Sequence, residues 1–198
     1  VGQQNHVALD SFISISVLGK VLCDWYRLVC KSLALRMQEN MPDLGQLDLW
    51  PLFNNDWKKS IAGVNSIRSL LYLNQFEAAF RNISKQQIGV YLHENQAWEF
   101  GLRHAWKSNQ HDQIVGFAHS TVRYWDLRYF FDPRSYRSEE RNRIPMPDRV
   151  AVNGPVAMKS YLTGGYPPEQ LIEVEALRYL YLNEFEDNKF GSKCSAEK

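Results

Sequence analysis

Carboxylate, imidazole and amide side chains stand directly after the first short apolar run of this sequence. Residues 88–92 form that run, and His93, Glu94 and Asn95 follow it before a segment with helical spacing begins. In open α/β sheets, ligands bind at the edge where strands end and helices begin. A carboxylate placed there can act as a general base toward a hydroxyl group, and an amide can hydrogen-bond a ligand.

The same arrangement recurs twice further along the chain. His119 and Ser120 follow an apolar run at 113–118, and Asn153 and Gly154 follow another at 149–152. Since parallel strands end at one edge of a sheet, we predict a single crevice in which Glu94, His119 and Asp126 could supply a general base for a hydroxyl acceptor. The predicted catalytic residues are Glu94, His119 and Asp126, and the predicted substrate-binding residues are His93, Asn95, Ser120, Trp125, Arg128, Asn153 and Gly154.

Several of these residues also have a structural interpretation. Glu94 and Asn95 could cap the helix that follows them, because capping is common where a strand turns into a helix. His119 could be a core histidine whose hydrogen bonds are satisfied within the protein. The aromatic segment 124–131 could anchor its own loop, or it could form a wall that stacks on the faces of sugars. The sequence leaves these alternatives open.

The sequence patterns around these residues predict an α/β fold. Short apolar runs alternate with helical segments from residue 87 onward, which is typical of a parallel sheet. The run at 88–92 shows no polar alternation and is expected to be a buried strand. We predict a Rossmann-like parallel sheet of about four strands flanked by helices, at 88–92, 113–118, 149–152 and 171–174.

Two long helices are predicted before the sheet. One begins at Asp10 or Ser11 and runs to about Glu39, and the other covers roughly residues 54–82, weakened at Gly63. The predicted organisation is a helical N-terminal region at 1–84, a Rossmann-like domain at 85–183 and a flexible tail at 184–198.

Composition and missing motifs narrow the function classes. The net charge of the 198 residues is +1 and the basic residues are interspersed with acids, so nucleic acid is not an expected partner. Neither a dinucleotide fingerprint nor a phosphate-binding P-loop is present, and His104 and His111 lack metal-ligand partners at useful spacing. No stretch approaches the roughly 20 apolar residues of a membrane span. We therefore predict no cofactor and no metal.

Several segments together resemble a known family. Residues 91–99, 116–121, 124–130, 147–154, 165–167 and 174–179 are similar to those of bacterial surface-carbohydrate proteins that act in O-antigen and lipopolysaccharide biosynthesis. The order of the motifs also looks like that of the wider GT-B glycosyltransferases. The resemblance covers about residues 49–182, and the segments around Glu94 and His119 are its most specific parts.

The resemblance implies the acceptor-side half of a GT-B glycosyltransferase. Such halves bind the acceptor, whereas a second Rossmann-like domain binds the nucleotide sugar, so this chain alone is expected to lack the donor site and to be inactive. The resemblance also implies that Glu94 or His119 is the base for the acceptor hydroxyl.

The implied partners are a nucleotide-sugar donor and a carbohydrate or lipid-linked acceptor. The implied location is the cytoplasm, with peripheral association at the inner face of the membrane. The alternatives are a non-catalytic carbohydrate- or nucleotide-binding module and a helical scaffold protein.

Overall fold

The computed structural model describes residues 5–35, 48–118, 126–129, 132, 135 and 143–174 of the chain. Short 3₁₀ turns occur at Leu9–Phe12, Leu127–Tyr129 and Pro168–Gln170. Within the described ranges the helices and strands are, in chain order, α1 (Ile15–Leu33), α2 (Trp50–Ile61), α3 (Val64–Arg81), β1 (Ile88–Leu92), α4 (Ala97–Ser108), β2 (Gln113–Phe117), β3 (Arg149–Val152), α5 (Pro155–Thr163) and β4 (Leu171–Glu173).

The four described strands form one parallel sheet in the order β1-β2-β3-β4. Gly116 pairs with Val150 across β2 and β3, and Val150 pairs with Leu171 across β3 and β4. The predicted α/β class, with a Rossmann-like parallel sheet of four strands flanked by helices, is confirmed. Because the strand order follows the chain, the described part of the sheet has no point where the order reverses, which is where doubly wound sheets place ligands.

The prediction that β1 is a buried strand is wrong for one of its faces. Ile88, Val90 and Leu92 are exposed, whereas Tyr91 is buried. β1 lies at the edge of the sheet. When strands pair in chain order, right-handed crossovers place the connecting helices on one face of the sheet, so the two faces of an edge strand have different surroundings. Within unit 1, the Trp106 ring of α4 lies so close to Gly89 that a side chain on Gly89 would collide with it. β3 by contrast buries Val150, Ala151 and Val152, as expected of a central parallel strand.

By its contacts the chain divides into two compact units. Unit 1 contains the described residues up to Gly89 together with Asn95–Ile114 and Ile144–Met146. Unit 2 contains Val90–Glu94 and the described residues of 115–143 and 147–174. The predicted boundaries at 84 and 183 stay a prediction, and the predicted tail at 184–198 lies outside the described residues.

Helix α1 of unit 1 begins later than predicted. Its N-cap is Ser14, whose hydroxyl accepts a hydrogen bond of 3.2 Å from the amide of Val17, so neither Asp10 nor Ser11 is the cap. Val17 and Val21 are the buried residues of α1. An ion pair between Lys20 and Glu77 connects the helix to α3.

The second predicted helix is two helices, with a break at Gly63. Gly63 has extended backbone angles and is the N-cap of α3. A Cβ atom added to Gly63 would lie 2.8 Å from the carbonyl oxygen of Lys59, so a larger residue would not fit this turn. Three helices therefore precede β1 in the described residues, where the sequence predicted two.

An aromatic ladder packs α3 against α4. Tyr72, Phe76 and Phe80 stack along α3 with ring centroids 6.3 and 5.9 Å apart, as residues four apart on a helix do. Phe76 contacts Trp98, and Phe80 meets Trp106 edge-on at 5.3 Å. Edge-on aromatic pairs add about 0.5–1.5 kcal/mol to the burial of their area. The ladder thus fixes the start of α4 in unit 1.

No helix among the described residues is long and apolar enough to cross a membrane.

Candidate functional site at the carboxyl edge of the sheet

Polar residues of unit 2 follow two strands at the carboxyl edge of the parallel sheet. Glu94 follows β1 and is partly buried, and Asn153 and Gly154 follow β3. β2 lies between these strands, so the two sets are separated by two strand spacings, or roughly 10 Å. A small ligand lying across the end of β2 would have a carboxylate on one side and an amide on the other. The predicted site residues His119, Ser120 and Trp125 lie outside the described residues.

Gly154 has a backbone conformation that favours glycine. Its φ angle is 104°, and a Cβ atom added there would meet no other atom within 4 Å. A larger residue at position 154 is therefore disfavoured by the backbone conformation and not by a lack of space. Gly154 is also the N-cap of α5, which has Pro155 at its first position. The turn presents the main chain at this edge without a side chain in front of it.

Asn95 lies in unit 1. It has a φ angle of 54° and is buried, and its Oδ1 atom accepts a hydrogen bond of 3.5 Å from Arg103. The alternative in which Glu94 or Asn95 caps the following helix is wrong, because the N-cap of α4 is Gln96. Gln96 and Glu99 form a capping box, with the Gln96 amide donating to Glu99 Oε1 at 2.9 Å.

Asp126 is held by Arg128 in a two-pronged ion pair. The Nε atom of Arg128 donates to Asp126 Oδ1 at 2.9 Å, and an Nη atom donates to Oδ2 at 2.7 Å. An adjacent cation favours the ionised form of a carboxylate and occupies its lone pairs. Among the predicted catalytic residues, Asp126 is therefore better suited to orienting Arg128 than to taking a proton.

Arg128, which is paired with Asp126, also interacts electrostatically with Glu94. The pKa of the Arg128 guanidinium is raised above its ordinary value, chiefly by its hydrogen bonds with Asp126. Partial burial opposes this shift, and electrostatic interactions with Asp126, Tyr129 and Glu94 add to it. Glu94 thus lies within electrostatic reach of Arg128, so two predicted site residues, one catalytic and one for binding, share one region of unit 2.

His93 lies behind this edge, fully buried among tyrosines. Its Nδ1 atom is 3.0 Å from the hydroxyl of Tyr91, and its Nε2 atom is 3.2 Å from that of Tyr166. Which hydroxyl donates and which accepts depends on the tautomer of the imidazole. The rings of Tyr129 and Tyr161 lie 6.4 and 6.0 Å from the imidazole. We call His93 and these four tyrosines the tyrosine cage.

Within the tyrosine cage, His93 has a structural role: it supports the strand end that carries Glu94. His93 has no exposed surface, so its side chain meets no solvent. It also holds the backbone of the residue before Glu94, because the His93 amide donates to the carbonyl of Phe117 at 2.9 Å. A Cβ atom on Gly116 would lie 3.0 Å from the His93 side chain, so the cage fills the space above β2. This packing fixes the point at which Glu94 leaves the sheet.

Sequence reasoning missed the tyrosines of the cage and a buried ion pair in unit 1. Glu99 and Arg103 of α4 are both completely buried, with Arg103 Nη1 and Glu99 Oε2 4.0 Å apart. The spacing of four residues between opposite charges on a helix is a signal that could have found this pair. No comparable signal marks the cage, since its members are dispersed over the chain.

The described residues contain no group of three or more histidine, cysteine, aspartate or glutamate side chains that could hold a metal ion. The chemistry that the edge can support is proton transfer and hydrogen bonding. Glu94 could accept a proton from a hydroxyl group, and Asn153 could hold the ligand that carries it.

Comparisons of this chain with protein-family models, with curated proteins and with solved structures find no match.

Proposed function

We propose that this chain is the acceptor-binding part of a glycosyltransferase that builds bacterial surface polysaccharide. The observation that supports the proposal is that Glu94 and Asn153–Gly154 follow two strands of one parallel sheet at its carboxyl edge, with Arg128, the partner of Asp126, in electrostatic contact with Glu94. Glycosyl transfer to a hydroxyl group needs a base to take its proton and polar groups to hold the sugar. The resemblance of residues 91–99 and 116–121 to surface-carbohydrate proteins indicates the same chemistry.

In this proposal Glu94 takes the proton of the acceptor hydroxyl as that oxygen attacks the anomeric carbon of the donor sugar. The bond from the anomeric carbon to the nucleotide breaks, and the nucleoside diphosphate leaves with its electron pair. A second, donor-binding domain holds that leaving group, and His119 remains the competing candidate for the base. Asn153 and the main chain at Gly154 orient the acceptor.

The test uses the natural gene product and a panel of nucleoside-diphosphate sugars with lipid-linked and free oligosaccharide acceptors. We expect acceptor-dependent release of nucleoside diphosphate, and Glu94→Gln should lower it by about 10²–10⁴-fold, the range for loss of a general base. Glu169→Gln is the matched control, because Glu169 is exposed and its backbone carbonyl, not its carboxylate, accepts from Arg149.

Unchanged turnover in Glu94→Gln together with full loss in His119→Ala would assign the base to His119. Unchanged turnover in both variants would reject this site. Binding of an oligosaccharide by a protein that releases no nucleotide with any donor would favour the non-catalytic module instead.

A lipid-linked acceptor would bring the protein to the inner face of the membrane. α1 supports this part of the proposal, because Ile15, Leu18, Leu22 and Tyr26 are exposed apolar residues at helical spacing. Co-sedimentation with vesicles of anionic lipid should be lost in Leu18→Gln/Leu22→Gln, whereas the same exchange at Leu52 on α2 should leave it unchanged. Absence of co-sedimentation in the parent protein would reject membrane association.

A further inference from the structure

Unit 1 contains a cleft of about 480 Å³ that takes no part in the carboxyl-edge site. α3 lines one side of it, with Asn65, Arg68, Ser69 and Tyr72, and the first turn of α4 lines the other, with Gln96 and Trp98. We call it the α3–α4 cleft. Its volume falls within the range of roughly 300–1,000 Å³ that is typical of small-ligand sites.

Aromatic and polar side chains share the wall of the α3–α4 cleft. Trp98 is partly buried and Tyr72 is 37% exposed, so both rings offer a surface to a ligand. Asn65, Ser69 and Gln96 supply amide and hydroxyl groups that can donate and accept hydrogen bonds. A ligand that suits this wall has apolar faces beside many hydroxyl groups, and a sugar ring has both.

Arg68 is the one charged side chain among the lining residues, and it gives the cleft a positive charge. Among the residues that the structure describes, no carboxylate forms an ion pair with it. A guanidinium presents its donors in a planar fork that matches the two oxygens of a carboxylate or phosphate. The cleft is therefore suited to a ligand that carries an anionic group.

The packing of unit 1 holds the walls of the cleft in place before any ligand arrives. Tyr72 belongs to the aromatic ladder and stacks on Phe76, which also contacts Trp98 at 6.3 Å. Gln96 is fixed by the capping box that it forms with Glu99. Binding groups held in this way lose little conformational freedom when a ligand binds.

We propose that the α3–α4 cleft binds a saccharide unit that carries a carboxylate or a phosphate. The rings of Tyr72 and Trp98 lie against the sugar, Asn65, Ser69 and Gln96 bind its hydroxyl groups, and Arg68 binds the anionic group. This inference does not depend on the proposed catalytic role of Glu94, because the cleft lies wholly in unit 1 and Glu94 lies in unit 2.

The test titrates the protein with four probes and follows amide and tryptophan indole signals by NMR. The probes are glucuronic acid, glucose 1-phosphate, glucose and inorganic phosphate. We expect both charged sugars to bind and to shift the Trp98 indole signal, and glucose to bind about tenfold more weakly, since a charged hydrogen bond is lost. If only one charged sugar binds, that result identifies the anionic group.

Variants assign the binding to named residues. Arg68→Gln should weaken the charged sugars about tenfold and leave glucose unchanged, whereas Arg81→Gln, an exposed arginine at the end of α3, should change neither. Tyr72→Ala should weaken all three sugars. Glu94→Gln should leave all of them unchanged, which separates this site from the carboxyl edge.

Three results would overturn the proposal. The first is that no probe shifts the Trp98 signal at millimolar concentration. The second is that inorganic phosphate binds as tightly as glucose 1-phosphate, which would mean that the cleft recognises a bare anion. The third is that Arg68→Gln leaves the affinity for both charged sugars unchanged.

Discussion

The imidazole of His93 and the phenol of Tyr166 lie 73 positions apart in the sequence and are joined by a hydrogen bond of 3.2 Å inside unit 2. This bond connects the residue after β1 to the segment between α5 and β4. It therefore joins the strand end that carries Glu94 to a part of unit 2 beyond α5. The stability of the cage and the position of Glu94 should change together.

Tyr166→Phe should lower the free energy of unfolding by about 1–3 kcal/mol, because it removes a buried hydrogen bond to His93. Tyr26→Phe is the control, since Tyr26 on α1 is exposed and its loss of a hydroxyl should cost under about 0.5 kcal/mol. Urea unfolding followed by circular dichroism measures both. Equal effects of the two substitutions would show that the cage hydrogen bond contributes no stability.

Gly116→Ala should destabilise the protein by about 1–3 kcal/mol, the range for overpacking. The added methyl group would lie 3.0 Å from the His93 side chain and from the Tyr91 hydroxyl, so the cage must move. Gly19→Ala is the matched exchange in α1, where nothing lies within 4 Å of the new Cβ atom. That change should stabilise the protein by about 0.5–1 kcal/mol. Thermal unfolding compares the two, and a stabilising Gly116→Ala would contradict the close packing.

Arg103→Met should lower the free energy of unfolding by about 3–5 kcal/mol, because Glu99 would keep its charge in a buried position without Arg103. Adding Glu99→Gln should recover at least about 1 kcal/mol, since glutamine keeps an acceptor for the Gln96 amide and removes the charge. Urea unfolding of both variants measures this coupling. A double variant that is less stable than Arg103→Met would show that the charge of Glu99 is not the source of the loss.

Arg128→Lys should reduce turnover in the glycosyltransferase assay more than it reduces stability. Lysine cannot form the two-pronged contact with Asp126, so the geometry beside Glu94 is lost. The Arg128 side chain is 45% exposed, and lysine keeps its positive charge, so the free energy of unfolding should fall by under about 1 kcal/mol. Arg27→Lys changes another exposed arginine pair, that with Asp24 in unit 1, and should alter neither quantity. If Arg128→Lys keeps full turnover, the Asp126–Arg128 pair has no role in the reaction.

Local sequence patterns predicted the strands but not their surroundings. Short apolar runs placed β1 to β4 within a residue of their observed bounds, because a strand's own residues set that signal. The exposed face of β1 could not be predicted, since burial depends on where a strand lies in the sheet. The break at Gly63 was underestimated, because a glycine within a helical pattern usually weakens a helix without ending it.

Part of the candidate site was predictable because the strands that carry it could be placed from local sequence patterns. Glu94, Asn153 and Gly154 could be placed at one edge because each directly follows a strand. The tyrosine cage could not, since Tyr91, Tyr129, Tyr161 and Tyr166 come together only when the chain folds. The pairing of Asp126 with Arg128 uses residues two apart, but their forked geometry depends on the 3₁₀ turn at Leu127–Tyr129.

The order of the strands bears on how the protein can be made. β1, β2, β3 and β4 lie side by side in the sequence in which the ribosome produces them. Each new strand can join a sheet whose earlier members are already paired, and none has to insert between two finished neighbours. Paired neighbours are separated by about 20 to 30 residues of chain, so each pairing closes a shorter loop than a pairing between distant strands would. The sheet can therefore grow strand by strand during translation, with Glu94 in place before the segment that carries Asn153 has been synthesised.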